Sequence, residues 1–303
     1  MGRPSLTLTD RARGLLLGLG SGHALGLTVE NQTFPPQTLG SPSRVPGNPA
    51  RLDTADSPWG DHVALAALLS EELVQPEIDL SRVVEHWIAW WRRDGRGLDS
   101  YTADGLEHFA QHDAPAGPRP GGGGAGPLAR TLPIALAMFR SPRNLVSGTY
   151  HTVLLTHPDS DTAWAAVSVN VAVSQFMHGR RDFLRDVVDV LQANDASPDL
   201  LALVRRIPFI GRDELATSGH LPAVACAELA LWCAHHEASL ERGVAWVVGS
   251  NRDTATAAAV VGGVLGARDG DDAIPAQWID AVAGVEALRG LAKKLVALRP
   301  AAR

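Results

Sequence analysis

Two side chains that commonly bind metals or move protons stand next to each other in the segment 59–63, Trp-Gly-Asp-His-Val. Asp61 supplies a carboxylate and His62 an imidazole, and a helical apolar pattern follows them directly. This placement favours a metal-binding or acid–base site at the start of a helix. The structural alternative is that Asp61 is a favourable charge at a helix N-terminus and that His62 is a surface residue. The two residues alone do not decide between these interpretations.

A second group of oxygen-bearing side chains occupies the segment 249–254, Gly-Ser-Asn-Arg-Asp-Thr, before an Ala-rich helical segment. Short oxygen ligands at a helix N-terminus are suited to a cation. Asp253 and Thr254 are also good helix caps, and taken by itself this segment favours capping.

Glycine clusters mark two further segments. In 121–127, Gly-Gly-Gly-Gly-Ala-Gly-Pro, backbone N–H groups lead into a predicted helix and suit a phosphate, but a flexible linker has the same composition. In 22–26, Gly-His-Ala-Leu-Gly, which Glu30 follows, small residues allow another backbone to approach closely. By itself this second segment favours tight packing between two helices.

The elements that must position these side chains are helices separated by Gly/Pro-rich loops. No segment alternates polar and apolar residues convincingly enough to predict a strand. The pattern predicts an all-α fold with one compact domain over 11–298, tails at 1–10 and 299–303, and functional loops between helices. Thr9 and Asp10 offer cap oxygens for the first helix. The predicted helices cover 11–25, 61–73, 80–91, 127–139, 163–178, 182–193, 221–236, 240–248, 254–265 and, in two pieces, 275–296.

Composition excludes several function classes. The 303 residues carry a net charge of −6, which argues against nucleic acid or an anionic membrane as the main partner. No uncharged run is long enough to span a membrane, and the first ten residues lack a signal pattern. The two cysteines, Cys226 and Cys233, lie seven apart in an apolar helical run, too far apart for a disulfide between them, and are predicted to be buried. The expected location is the cytoplasm.

Taken together and in order, these segments resemble the ADP-ribosylglycohydrolase family from about residue 11 to 298. That family typically has a helix ending in Gly-Asp-Ala-Leu-Gly, then Thr-Asp-Asp-Thr, a Gly-x-Gly turn, a Gly-Asn-Gly loop, a Thr-His pair, a Ser-Gly-aromatic turn and a closing Gly-Gly-Asp-Thr-Asp-Thr. The corresponding positions here are Gly22–Gly26 with Glu30, Gly60–Val63, Gly95 and Gly97, Gly124–Gly126, Thr156 with His157, Ser218–His220, and Gly249–Thr254.

The resemblance implies an all-α bundle with active-site loops at one end. It implies hydrolysis of an N- or O-glycosidic bond in an ADP-ribosylated protein or an ADP-ribose-like small molecule, with two Mg²⁺ ions. It assigns catalytic roles to Glu30, Asp61 and His62. The implied metal ligands are Asp61, His62, Asn251, Asp253 and Thr254. The implied ligand-binding residues are Gly95, Gly97, Gly124, Ala125, Gly126, His157, Gly219 and His220.

Several positions depart from the family pattern. His23 and His62 each replace an Asp of the family, Gly60 replaces a Thr, and Asn251 replaces another Asp. Fewer carboxylates make a pair of Mg²⁺ ions doubtful, and imidazole suits Zn, Fe, Ni or Cu better than Mg. Three hypotheses follow: a site with one divalent ion, Mg²⁺, Mn²⁺ or another; a hydrolase that works without metal; or a protein that binds ADP-ribose without cleaving anything, in sensing or in immunity to a toxin.

Overall fold

A computed structural model of the chain describes residues 5–29, 59–95, 97–117, 123–215, 221–250 and 254–298. In these ranges the fold is all-α, as predicted, with no strand and one isolated antiparallel bridge between Gly124 and Pro222. The helices are α1 (Leu8–Val29), α2 (Asp61–Leu73), α3 (Leu80–Arg93), α4 (Ser100–His112), α5 (Gly126–Met138), α6 (Pro142–Leu154), α7 (Ser160–Met177), α8 (Leu184–Ala193), α9 (Pro198–Arg206), α10 (Ala223–His236), α11 (Leu240–Gly249), α12 (Thr254–Asp269), α13 (Ala276–Ile279) and α14 (Val285–Ala297).

The first helix begins earlier than the sequence predicts. Thr7, and not Thr9 or Asp10, caps α1: the Thr7 hydroxyl accepts from the Asp10 N–H at 3.1 Å, and the Asp10 carboxylate accepts from the Thr7 N–H at 2.8 Å. This reciprocal pair satisfies two amides that the first turn leaves without partners. The residues 8–10, which the sequence assigned to a tail, are therefore the first turn of α1.

Helices α4, α6 and α9 were not predicted from the apolar pattern. Their start signals are visible in the sequence, because Asp99 caps α4 and the pairs Ser141-Pro142 and Ser197-Pro198 open α6 and α9. A Ser followed by Pro is typical of a helix start, since Pro suits the first helical position.

An unusually close antiparallel contact between α1 and α12 organises the molecule. Gly14, Gly18, Gly22 and Gly26 form a stripe with a spacing of four along α1, and this stripe faces Gly266, Gly262, Ala258 and Thr254 of α12 in that order. A Cβ atom placed on Gly18 would lie 2.2 Å from the carbonyl oxygen of Gly262. The two backbones are thus in direct contact, which confirms the tight packing predicted for the segment 22–26.

Helices α7, α10 and α12 occupy the centre of the domain, since nearly all of their residues are buried. Helices α3 and α8 lie outside and bury one stripe each, such as Val83 and Trp87 of α3. Cys226 and Cys233 are both buried in α10 and no disulfide joins them, as predicted. Within the described ranges, no helix has the length and apolarity that crossing a membrane requires.

Candidate functional site

The N-termini of α2, α4, α5 and α12 converge at one end of the bundle. A Cβ atom on Gly126, the first residue of α5, would lie 3.6 Å from Cε1 of His62 in α2 and 3.7 Å from the carboxylate of Asp99, the cap of α4. His62 Nε2 lies 2.9 Å from the hydroxyl of Thr256 in the first turn of α12. Each helix N-terminus carries a partial positive charge, so this end of the bundle favours an anionic ligand.

At the centre of this convergence lie His23, Asp61 and His62. The Asp61 carboxylate lies between the two rings: Oδ1 is 3.7 Å from His23 Nε2, and Oδ2 is 3.1 Å from His62 Nδ1. The ring centroids of the two histidines are 5.0 Å apart, so the expectation that they are neighbours is confirmed. His62 is only 6% exposed, which shows that its interpretation as a surface residue is wrong.

Burial sets the protonation of this cluster. It lowers the pKa of His23 to about 4, and the neighbouring His62 lowers it further, against the opposing effect of Asp61. Burial also raises the pKa of Asp61 to about 6, although His23 acts in the opposite direction. His23 is therefore neutral at pH 7, and Asp61 is ionised only at a considerable cost in folding free energy.

We expect Asp61→Asn to stabilise the metal-free protein. Because the folded-state pKa of Asp61 lies above its ordinary value of 3.8, the contribution of Asp61 to stability is most favourable below pH 3.8 and is lost as the pH rises through about 6. The variant has no such loss, so its advantage should grow over that interval and reach on the order of 1–3 kcal/mol at pH 8. Urea unfolding with a chelator at pH 5 and pH 8 measures it. Asp189→Asn, at an exposed carboxylate of α8, should show no comparable change; an Asp61→Asn protein that is less stable at pH 8 would refute this expectation.

A buried arginine, Arg130, lies next to the carboxylates of the site. Arg130 of α5 is 1% exposed; its Nη1 donates to the Thr102 hydroxyl at 3.3 Å, and its Nη2 donates to the Thr156 hydroxyl and lies 3.2 Å from His157 Nδ1. Burial lowers the pKa of Arg130 to about 10, and the charges of Asp99 and Asp61 raise it, so the guanidinium remains charged at neutral pH.

Asp99 is the carboxylate that accompanies this arginine. Burial raises its pKa, but hydrogen bonds from the hydroxyl and the backbone N–H of Thr102, together with the charge of Arg130, outweigh burial and hold the pKa below the ordinary value. The site therefore contains one carboxylate that ionises easily, Asp99, and one that ionises with difficulty, Asp61.

The predicted glycine positions fall into two groups. Gly95 and Gly97 have φ angles of +61° and +77°, in the left-handed region that favours glycine, and the backbone of Gly97 passes beside Asp61, because a Cβ there would lie 3.2 Å from Oδ1. Gly123 is packed against His157, and the loop that it opens reaches α5 through Ala125 and Gly126, both buried. In its described part, this loop is therefore not a flexible linker.

We expect Gly126→Val to block ligand binding without unfolding the protein. A Cβ at this position makes ordinary contacts of 3.6 Å with His62 and 3.7 Å with Asp99, and a tight contact of 3.3 Å with the end of the Arg130 side chain, which a shift of a few tenths of an ångström relieves. The added methyl groups would fill the space between these side chains. The affinity for ADP-ribose should fall by at least about tenfold, since a clash of about 1.4 kcal/mol is sufficient for that loss. Calorimetry measures it. Gly117→Val, at an exposed loop position with nothing within 4 Å, is the matched control, and an unchanged affinity in Gly126→Val would place the ligand elsewhere.

The remaining predicted residues have different outcomes. The hydroxyl of Thr254 donates to the carbonyl of Gly26 at 3.1 Å and so ties α12 to α1. His157 is fully buried beside Tyr101, with ring centroids 4.6 Å apart. Their functional roles stay predictions. Five predicted residues lie outside the described ranges: Glu30, Gly219, His220, Asn251 and Asp253.

Four residues at the site received no role in it from the sequence: Asp99, Thr102, Arg130 and Thr256. Thr102 and Arg130 do match family motifs, as the Thr after the Gly-x-Gly turn and the Arg after the Gly-Asn-Gly loop. Asp99 and Thr102 show the spacing of a helix cap and its third residue, which is a readable signal for a helix start but not for a site. Thr256 has no local signal, because its role depends on how α12 is aligned against α2.

The whole described fold lies within a region that matches a known protein family. The sequence model of the ADP-ribosylglycohydrolase family matches residues 4–303, and the chain therefore belongs to the ADP-ribosylglycohydrolase family. The fold and the family predicted from the sequence are confirmed.

Two relatives and one solved structure add detail. The chain is 23% identical over 315 residues to a protein of Serratia proteamaculans named ADP-ribosylarginine hydrolase Tri1, covering 98% of this chain and 82% of that protein. It is 26% identical over 314 residues to a protein of the same name from Pseudomonas putida, covering 94% and 78%. A solved structure described as an ADP-ribosylglycohydrolase-related protein complex superposes with a TM-score of 0.76 at 27% identity, covering 96% of this chain and 98% of the other.

The pair of Mg²⁺ ions that the resemblance implies does not fit the described donors. Mg²⁺ requires oxygen ligands in a near-octahedral shell, whereas the cluster in this structure offers two imidazoles and one carboxylate. Two such ions would bring four positive charges to a cluster that contains a single carboxylate.

Proposed function

We propose that this protein hydrolyses the glycosidic bond that joins ADP-ribose to an arginine side chain of a modified protein. The observation that carries the proposal is the convergence of four helix N-termini on one buried carboxylate, Asp61. The partial positive charges suit the diphosphate of ADP-ribose, and the carboxylate suits the positive charge that develops on the ribose during cleavage. The relatives named as ADP-ribosylarginine hydrolases support arginine as the acceptor.

Each residue of the site has a proposed role in binding or in cleavage. In the metal-free protein, Asp61 stabilises the oxocarbenium-like transition state by its charge, and His62 positions that carboxylate when its Nδ1–H donates to Oδ2 and its Nε2 accepts from the Thr256 hydroxyl. Glu30, proposed on the sequence alone, activates the attacking water. The glycines Gly95, Gly97, Gly124 and Gly126, with Ala125, His157, Gly219 and His220, form the proposed surface for the nucleotide. Asn251, Asp253 and Thr254 stay proposed metal ligands on the family resemblance alone, and the proposed location is the cytoplasm.

The test uses a protein that carries ADP-ribose on arginine and measures the release of free ADP-ribose. We expect release by the wild-type protein, none by Asp61→Ala, and normal release by Asp189→Ala, whose exposed carboxylate lies on α8. Glu30→Gln should bind ADP-ribose normally and release none. The same assay on a protein modified on serine tests the acceptor, and equal release from both would overturn the choice of arginine.

One observation favours a second function, namely capture of ADP-ribose without cleavage. Both histidines of the cluster are buried and packed against their neighbours, as expected if they fill space in a pocket that only binds. Calorimetry with ADP-ribose separates the two functions. Binding without release of ADP-ribose from any modified protein would establish the second function, and the absence of both would exclude both.

A further inference from the structure

The cluster of His23, Asp61 and His62 has the composition of a transition-metal site. Each residue offers one ligand atom, and these atoms all lie within 4.8 Å of one another. Among the described residues, this is the one group of three histidine, cysteine or carboxylate side chains with such spacing. All three side chains are buried, so they have been placed together at a cost in solvation that a bound ion would offset.

The ligand atoms are close enough together to share one small ion. Two ligands that are each about 2.0–2.1 Å from a tetrahedral Zn²⁺ lie about 3.3 Å apart. In the structure His62 Nδ1 lies 3.1 Å from Asp61 Oδ2, and His23 Nε2 lies 3.7 Å from the other oxygen, Oδ1. Binding through a single Asp61 oxygen therefore requires a rotation of the carboxylate or a shift of one ring.

The residue at position 60 is adapted to the His23 ring. Gly60 caps α2 with φ −71° and ψ 175°, a conformation open to any residue, so the backbone does not require glycine there. A Cβ atom at this position would lie 2.4 Å from His23 Nε2. Glycine is therefore required by the imidazole, although Ser, Thr or Asp would cap the helix better.

The second imidazole has its own supporting partner. His62 Nε2 lies 2.9 Å from the Thr256 hydroxyl, and when Nε2–H donates to that oxygen, Nδ1 presents its lone pair toward Asp61. A hydrogen bond from the outer nitrogen of a ligating histidine is the usual device that fixes its ring and its tautomer. Gly60 and Thr256 together show that the surroundings accommodate two imidazoles.

We propose that His23 Nε2, one Asp61 oxygen and His62 Nδ1 bind a single ion of the zinc class, in preference to Mg²⁺, with the fourth position open to water or ligand. Two nitrogen donors and one oxygen donor are the set that Zn²⁺ accepts and Mg²⁺ avoids. The inference concerns the same site as the proposed function but does not depend on any hydrolase activity.

The experiment titrates chelator-stripped protein with Zn²⁺ in competition with a chromophoric chelator, and with Mg²⁺ by calorimetry. We expect one equivalent of Zn²⁺ and an affinity for it at least about 100-fold higher than for Mg²⁺. Co²⁺, as a coloured substitute for Zn²⁺, should give the intense visible absorption of a tetrahedral ion. Zn²⁺ should raise the melting temperature, because an ion that binds only the folded state stabilises it.

Variants assign the ligands. His23→Asn and His62→Asn should each abolish the Co²⁺ spectrum, and Thr256→Val should weaken Zn²⁺ binding by about 10–100-fold. Gly60→Ser should displace His23 and reduce Zn²⁺ affinity while keeping a well-capped α2, so a loss there is not a folding defect. His86→Asn, at an exposed histidine of α3, is the matched control. Melting curves of all metal-free variants confirm folding.

Equal affinity for Mg²⁺ and Zn²⁺, or a Co²⁺ spectrum unchanged in His23→Asn and His62→Asn, would overturn the inference. Tight Zn²⁺ binding together with no release of ADP-ribose would contradict the proposed function and leave the metal site standing. Release of ADP-ribose without Zn²⁺ binding would support the proposed function and overturn the proposed metal site.

Discussion

Replacing Gly18 by valine should destabilise the protein severely. The first added carbon would lie 2.2 Å from the Gly262 carbonyl oxygen, and relief requires the separation of α1 from α12, two long helices in contact along most of their lengths. We expect a loss of about 3 kcal/mol or more, above the usual range for overpacking, because the obstacle is backbone and not a flexible side chain. Soluble yield and thermal unfolding by circular dichroism measure the effect.

The control for this prediction is Gly290→Ala. Gly290 is exposed on α14, and a Cβ there meets nothing within 4 Å, so this change should leave stability unchanged or raise it by about 0.5–1 kcal/mol. If Gly18→Val unfolds at the wild-type temperature, the close contact between α1 and α12 is not present in the molecule.

Replacing Arg130 by methionine should produce the second large effect. The change leaves the half-buried Asp99 without its cation and removes the buried donor that Thr102 and Thr156 share, for an expected cost of about 3 kcal/mol. The pKa of Asp99 should rise, because the charge of Arg130 no longer opposes burial and mainly the hydrogen bonds from Thr102 remain to do so. Urea unfolding measures the loss of stability, and calorimetry with ADP-ribose measures the loss of binding in the fraction that remains folded.

Arg268→Met is a matched control for that prediction. Arg268 is also buried, and it donates to two backbone carbonyls and to Asp269, at residues separate from the site. Both variants should therefore destabilise the protein, but only Arg130→Met should weaken the binding of ADP-ribose by the folded fraction. Equal binding by the two variants would mean that Arg130 supports the fold alone.

The sequence predicted much of the fold because most helices bury a stripe or a whole surface with clear helical spacing, as α2, α5 and α10 do. It did not predict α4, α6 and α9. These helices have fewer fully buried residues than the central ones, and α9 carries its apolar stripe over only 9 residues, so the caps are the clearer signal. The family resemblance added the order of the motifs, which no single segment specified.

For the site, the sequence identified Asp61 and His62 as candidate residues and predicted His23 as their neighbour. It did not predict the accommodation of the rings by Gly60 and Thr256. Those contacts depend on how α1 and α12 are aligned against α2. The glycine stripe fixes α1 against α12 by direct backbone contact, and no local sequence pattern encodes the resulting alignment. The position of Thr256 opposite His62 is a property of that alignment.

The contact of α1 with α12 also has a consequence for the order of events during folding. The bond from Thr254 to Gly26 joins residues 228 positions apart, so α1 has its partner only after α12 has been synthesised. Closing so large a loop is entropically costly and is typical of slowly folding topologies. During synthesis the glycine stripe of α1 stays accessible to solvent or to chaperones until α12 has left the ribosome. Neither His23 nor His62, whose Nε2 lies 2.9 Å from Thr256 of α12, can therefore take up its final position before α12 is made.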